Sequence, residues 1–103
     1  GAGVALDGLP AEPPKAPSTS WRANIELGWK TVERDPSAAA AAFQAALRDQ
    51  PNDPDANYGY GYALLKLGDR DRAVPWLCRA RNGDAATRRE VAGLLQTHGL
   101  TCD

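Results

Sequence analysis

Histidine and cysteine, on which many catalytic and metal sites depend, are scarce in this chain. Its 103 residues include one histidine and two cysteines. A histidine-rich metal site has too few ligands, and two cysteines are too few for a disulfide scaffold. The sequence also lacks a glycine-rich phosphate loop after a strand, because Gly59 and Gly61 fall inside a helix-like segment. We therefore expect no catalytic residues, no cofactor and no enzymatic activity.

Long apolar runs and an excess of one charge are also missing. No stretch approaches the about 20 apolar residues that a membrane-spanning helix needs, so we expect no membrane insertion. The formal net charge is −1, and acidic and basic side chains are interspersed, which gives no footprint for nucleic acid. Four arginines near the C-terminus are interpreted as a solvated helix face: Arg79, Arg81, Arg88 and Arg89.

The N-terminal segment, residues 1–20, differs in composition from the rest of the chain. It holds four prolines among Gly, Ala, Ser and Thr, and no apolar residue recurs with a period. Each proline removes a backbone donor and disfavours helical backbone before it, so residues 1–20 are predicted to be a flexible linker. The spacing of Pro10 and Pro13 leaves a PxxP ligand for an SH3-like groove as the alternative.

After this segment, helix-like stretches are separated by short turns. Asp35-Pro36 and Asp53-Pro54 each place an N-cap acceptor before a proline at the first helical position. Gly68-Asp69 and Asn82-Gly83-Asp84 indicate a helix end followed by the next cap, although Thr87-x-x-Glu90 offers a later start. No segment alternates like a strand. The prediction is an all-α chain of five antiparallel helices over 21–34, 36–49, 54–67, 70–81 and 85–98.

An internal repeat organises these segments. The triplet Ala39, Phe43 and Ala46 recurs with the same internal spacing as Ala73, Leu77 and Ala80. The segments that precede the two triplets also match each other, at an offset that is one residue shorter, so that Gly28 corresponds to Gly61. We expect each glycine to let the second helix of its unit approach closely, with Phe43 or Leu77 filling the space. Each helix pair buries part of its apolar face, so the pairs must stack.

The repeated residues resemble the tetratricopeptide repeat pattern, W-x₂-L-G-x₂-Y, then A-x₃-F, then P, with a period of about 34 residues. The first unit matches at Leu27-Gly28, Ala39-x₃-Phe43 and Pro51, and the second at Tyr60-Gly61 and Ala73-x₃-Leu77. The resemblance implies a right-handed superhelical array of antiparallel helix pairs. It would hold about two repeats and a capping helix at 85–98, within a helical domain over 21–103.

Some positions depart from this pattern. Asn24 and Asn57 stand where the family has Trp, and Thr31 stands where it has Tyr. Pro75 falls early in the second helix of the second unit, and we expect it to bend that helix or delay its start.

The resemblance also implies where a partner would bind, because the first helix of each unit lines a concave groove in the family. The corresponding positions are Arg22, Ile25, Trp29 and Glu33, then Tyr58, Tyr62, Leu65 and Lys66. Family members that grip a C-terminal carboxylate have Lys, Asn and Arg at several of these positions, where this chain has apolar and aromatic residues. The implied partner is a protein or peptide with an apolar or aromatic anchor.

Two alternatives stay open for this surface. The rings of Trp29 and Tyr62 could pack between helices of adjacent units instead of facing a partner. Short arrays of this family can also stack end to end, so self-assembly within a multiprotein complex is the alternative function.

Cys78 and Cys102 could form a disulfide if the chain after Gly99 folds back over the fourth helix. In a reducing compartment both thiols would stay free. A zinc site with His98 is a further alternative, with an aspartate as fourth ligand.

The source and context are inferred from composition and from the first residues. Abundant Ala, and more Arg than Lys, suggest a bacterial protein. The chain begins Gly1-Ala2-Gly3 rather than with Met, and we expect it to be part of a larger protein. The periplasm is favoured if the two cysteines are linked.

Overall fold

The computed structural model describes residues 20–103, and this part of the chain contains five α-helices and no strand. The helices are α1 (Trp21–Thr31), α2 (Pro36–Asp49), α3 (Pro54–Lys66), α4 (Arg70–Arg79) and α5 (Ala85–Thr97). A 3-10 turn, Ala80–Asn82, separates α4 from α5. None of the described helices is long and apolar enough to cross a bilayer. The predicted all-α array is confirmed, whereas the predicted linker lies, except for Ser20, outside the described residues.

Capping side chains set where most of the helices begin. Ser20, Asp35, Asp53 and Asp84 each accept a hydrogen bond from the backbone N–H three residues on, at 2.8–3.1 Å. These bonds satisfy donors that the first turn of a helix leaves unpaired. The cap at Asp84 starts α5 immediately after it, so the later start at Thr87 is not used.

Of the two effects expected of Pro75, a bend in α4 or a delayed start, the delayed start does not occur. The helix begins at Arg70, and Pro75 lies inside it. A proline at this depth removes one hydrogen bond of the helix. Ala73 and Leu77, on either side of it, are both fully buried. Burial of these two residues keeps the segment helical through the proline.

Two core side chains pack against glycines of the neighbouring helices. The Phe43 ring of α2 lies between Gly28 of α1 and Gly59 of α3, since a Cβ atom on either glycine would lie under 3.0 Å from the ring. Leu77 of α4 fits against Gly61 in the same way, and both large side chains are fully buried. Gly28 and Gly61 have the role expected from the repeat. Gly59 adds a contact between repeats that the pattern did not indicate.

Asn57 holds the turn between α2 and α3. It is 1% exposed, and its Nδ2 atom donates to the backbone oxygen atoms of Pro51, at 3.1 Å, and of Asp53, at 2.8 Å. Hydrogen bonds offset the cost of burying an amide nitrogen, whereas the Oδ1 atom of Asn57 has no partner among the described residues. The two bonds of Nδ2 therefore hold the backbone of the turn that precedes α3.

A tight turn ends α5. Gly99 has a φ of +67°, and its N–H donates to the carbonyl oxygen of Gln96 at 3.1 Å. The N–H of Leu100 donates to the carbonyl oxygen of Leu95 at 2.9 Å. These two bonds are those of a Schellman turn, which favours glycine at the left-handed position.

Two links connect the residues after α5, termed the tail (98–103), to α4. Arg70 Nη2 donates a hydrogen bond to the backbone oxygen of His98. Cys78 of α4 and Cys102 form a disulfide, with their Cα atoms 5.7 Å apart. Because both sulfur atoms are used in this bond, neither is a thiolate ligand for zinc.

Gly59→Ala is expected to destabilise the protein by about 1–3 kcal/mol, because the new methyl group must displace the enclosed Phe43 ring. Gly93→Ala is the matched control. Gly93 also lies within a helix, but a Cβ atom there would meet nothing within 4 Å. The better helix propensity of Ala should stabilise that variant by up to about 1 kcal/mol. Urea unfolding measures both, and equal stabilities would contradict the packing of Phe43 between repeats.

Removing the disulfide is expected to lower the free energy of unfolding by about 3 kcal/mol, because the bond restricts the unfolded chain. The cysteines are 24 positions apart. Urea unfolding with and without a phosphine reductant measures the loss in the wild type. The variant with both Cys78→Ala and Cys102→Ala is the control, since the reductant should not affect it. A wild-type midpoint that stays constant while mass spectrometry shows complete reduction would contradict the prediction.

Candidate functional site

The predicted partner-binding residues lie on α1 and α3, the first helices of the two repeats. Three of them, Trp29, Tyr58 and Tyr62, form an aromatic cluster. The ring centroid of Trp29 is 5.1 Å from that of Tyr58 and 5.9 Å from that of Tyr62, and the two tyrosines are 6.4 Å apart. All three side chains are half-buried. The cluster therefore joins the repeats and still leaves aromatic surface accessible.

Trp29 is held from two sides. Its ring meets Phe43 edge-on, with centroids 5.1 Å apart, and its Nε1 donates to Asp55 Oδ1 at 3.0 Å. The packing between adjacent units that the sequence left open for this ring is therefore observed, together with partial exposure. An aromatic side chain fixed in this way offers contact area to a partner at a low cost in conformational entropy.

Tyr62 is oriented by a charged network. Its hydroxyl donates to Glu33 Oε2 at 2.7 Å, and Lys66 Nζ lies 2.8 Å from Glu33 Oε1. Lys66 and then Tyr62 hold the pKa of Glu33 below its ordinary value. The bond to Glu33 is also the main reason that the pKa of Tyr62 is raised. Exposed ion pairs of this kind stabilise a fold little, but they fix side-chain positions.

An open pocket of about 640 Å³, termed the α1 pocket, adjoins the cluster. It is lined by Trp21, Arg22, Ile25, Glu26, Trp29, Lys30, Asp53 and Asp55. The Arg22 guanidinium lies 4.3 Å from the Trp21 ring centroid. Ile25 is 7% exposed and belongs to the core, so it supports this pocket more than it offers contact area.

A second pocket, of about 470 Å³ and termed the acidic pocket, lies between α3 and the start of α5. It is lined by Trp29, Asp53, Pro54, Asp55, Tyr58, Gly83, Asp84, Thr87 and Glu90. Trp29, Asp53 and Asp55 are common to both pockets. The two pockets therefore form one continuous surface across α1, α3 and α5.

Burial and neighbouring negative charges raise the pKa values of two side chains in the acidic pocket. Burial raises the pKa of Asp55, the Trp29 N–H partly opposes this, and the neighbouring carboxylates add to the increase. Burial likewise raises the pKa of Tyr58 to about 12, and the charge of Glu90 contributes. The pocket is thus a region of negative potential.

The structure does not bring all predicted residues to these pockets. Tyr62, Leu65 and Lys66 line neither of them. Leu65 is half-buried against the core, and Lys66 is exposed and paired with Glu33. Conversely, sequence reasoning missed Asp55 and Glu90, because it assigned acidic residues at these places to helix starts. It also missed Trp21, whose place at the first residue of α1 carried no signal.

Helix pairs that stack on a shared core and present their first helices on one surface define a helical-repeat solenoid. The chain belongs to the tetratricopeptide repeat family, since the model of that family matches residues 33–87, more than half of the sequence. No curated protein and no solved structure gives a significant match. Tetratricopeptide repeats are non-catalytic units that generally mediate protein–protein interaction.

Asp55→Asn is expected to raise stability at neutral pH, because burial raises the pKa of this carboxyl group and so disfavours its ionised form in the folded protein. Asn keeps an oxygen that can accept from Trp29 Nε1. Because the pKa of Asp55 is raised in the folded state, the folded protein binds this proton at a higher pH than the unfolded chain does. The ionised carboxylate therefore destabilises the wild type at neutral pH, and this loss of stability disappears below the ordinary pKa of 3.8. Urea midpoints of the wild type and of the variant, at about pH 7 and about pH 3, measure the difference in stability. An advantage of the variant that persists at the lower pH would contradict a charge effect.

Proposed function

We propose that this chain is an adaptor module that binds an extended or helical segment of another protein across α1 and α3. The aromatic cluster is the observation that carries this proposal. It consists of three half-buried rings from two repeats, and it adjoins an open pocket of about 640 Å³. Aromatic side chains at the centre of an interface usually contribute much of its affinity.

An apolar or aromatic side chain of the partner fits the α1 pocket best. The indole rings of Trp21 and Trp29 both line the pocket, and its size is in the range of pockets that hold small ligands. Such an anchor would lose contact with water against two indole rings, which is the main source of affinity for an aromatic contact.

A C-terminal carboxylate is a poor partner for this surface. Lys66 pairs with Glu33, and Lys30 lies 4.0 Å from Glu26. The carboxylates of Asp53 and Asp55 line the pocket as well. The charges therefore support the choice of an apolar anchor over a carboxylate.

Self-association is the second candidate function. Leu27 on α1 is 50% exposed, and a second copy that stacked on α1 would cover this side chain. A light-scattering mass that stays at the monomer value of 11.0 kDa at all concentrations would exclude this function.

The disulfide supports an oxidising compartment, such as a bacterial periplasm, for this module. Two freely alkylated thiols in material from the native source would contradict that placement.

Tyr62→Ala is expected to weaken binding by about 2 kcal/mol, roughly 30-fold in Kd, with little change in melting temperature. Tyr58→Ala should weaken binding similarly and also lower the melting temperature, because Tyr58 packs edge-on against Trp29. The probes are peptides selected from a displayed library of random sequences against the full chain. Fluorescence polarisation measures their affinity.

Trp76→Ala is the matched control for these variants. Trp76 is a half-buried aromatic residue of α4 that packs against Tyr60, away from the aromatic cluster. Trp76→Ala should lower the stability of the protein and leave its affinity for the peptides unchanged. Normal binding by both tyrosine variants would show that the partner uses another surface.

A further inference from the structure

The acidic pocket carries four carboxylates and no basic side chain. Asp53 and Asp55 at the start of α3 line the pocket together with Asp84, the N-cap of α5, and Glu90, farther along α5, and no Lys or Arg lines it. Among the described residues, none of the four forms an ion pair. Other acids of this part of the chain do form them, with Lys30, Lys66 and Arg72. No cation within residues 20–103 therefore neutralises the negative charge of the pocket.

These carboxylates keep free acceptor capacity. One oxygen of Asp53 and one of Asp84 cap helices, and one oxygen of Asp55 accepts from Trp29. A carboxylate can accept about four hydrogen bonds. Burial raises the pKa of Asp55, and the charges of Asp53, Glu90 and Asp84 add to the increase, so these three neighbours disfavour a negative charge on Asp55. A positive group in the pocket would relieve this repulsion.

The aromatic walls distinguish between kinds of positive group. Trp29 and Tyr58 border the same pocket, and an ammonium or guanidinium group over such a ring gains a cation–π interaction. The carboxylates, in contrast, are spread along the walls. Within residues 20–103, no three His, Cys, Asp or Glu side chains are close enough together to ligate one metal ion. The geometry favours an organic cation over a metal.

We propose that the acidic pocket binds an Arg or Lys side chain of the partner segment, next to the apolar side chain that occupies the α1 pocket. This inference rests on the proposed function. The two pockets share Trp29, Asp53 and Asp55, so neighbouring side chains of one segment can reach both. Arg suits the site best, because its planar group can stack on a ring and bind a carboxylate with two N–H donors.

The test uses the full oxidised chain and a displayed library of random dodecapeptides. We expect enrichment of Arg or Lys beside Trp, Phe or Leu. The best peptide is then synthesised in two forms, one with its key Arg and one with neutral citrulline in that place (for a key Lys, with Gln). Affinities are measured for the wild type, Asp55→Asn and Glu90→Gln. Each single neutralisation should weaken binding of the charged peptide about 3- to 5-fold.

Asp71→Asn is the matched control, because Asp71 is also an exposed acid in the first turn of a helix, α4, but lies outside the acidic pocket. It should leave the affinity unchanged. The neutral peptide should bind the wild type and the double variant Asp55→Asn with Glu90→Gln equally well. Added salt should weaken the binding of the charged peptide to the wild type, and it should affect the binding of that peptide to the double variant much less.

The outcomes separate this inference from the proposed function. Peptides that lose affinity in Tyr62→Ala, but lack basic residues or bind the double variant normally, would overturn the charge assignment and leave the binding surface intact. A library that yields no binder, or binders unaffected by Tyr58→Ala and Tyr62→Ala, would overturn both. The inference is supported if the double variant loses affinity for the charged peptide but not for the neutral one.

Discussion

The fold depends on the enclosure of one aromatic ring. Phe43 extends from α2 into the space left by Gly28 and Gly59, and it is fully buried. One side chain thereby links the two helices of the first repeat to the first helix of the second. Because protein interiors are close-packed, that ring sets the distance between α1 and α3. The same ring supports Trp29, so the core contact also positions the accessible aromatic surface.

The binding surface follows from this spacing in three steps. Phe43 supports Trp29, Trp29 donates to Asp55, and Asp55 lies at the start of the helix that carries both tyrosines. The cap at Asp84 then places the first turn of α5 beside that helix. Acidic side chains at the N-terminal ends of helices thereby lie together on one side of the aromatic cluster. Local folding requirements and the chemistry of the surface thus use the same residues.

The sequence predicted what depends on local chemistry and on the repeat. Helix starts at Asp35 and Asp53 could be predicted because an acceptor before a proline acts within one turn. The repeat identified Phe43, since its period relates equivalent residues. It did not reveal Gly59, which contacts a side chain of the other unit. The proximity of Asp55 and Glu90 was equally hidden, because residues far apart in the sequence meet only through the packing of α3 and α5. The delayed start that the sequence allowed for Pro75 does not occur, because the burial of Ala73 and Leu77 outweighs a local preference.

The link between Cys78 and Cys102 changes how the chain would transmit mechanical tension. Force along the backbone would pass through the sulfur atoms and bypass α5. Residues 79–101 would then carry no load, and α5 could unfold without lengthening the molecule. Reduction would release a hidden contour length on the order of 80 Å. In a larger protein, this end of the domain would act as a fixed attachment point under oxidising conditions and as an extensible one under reducing conditions.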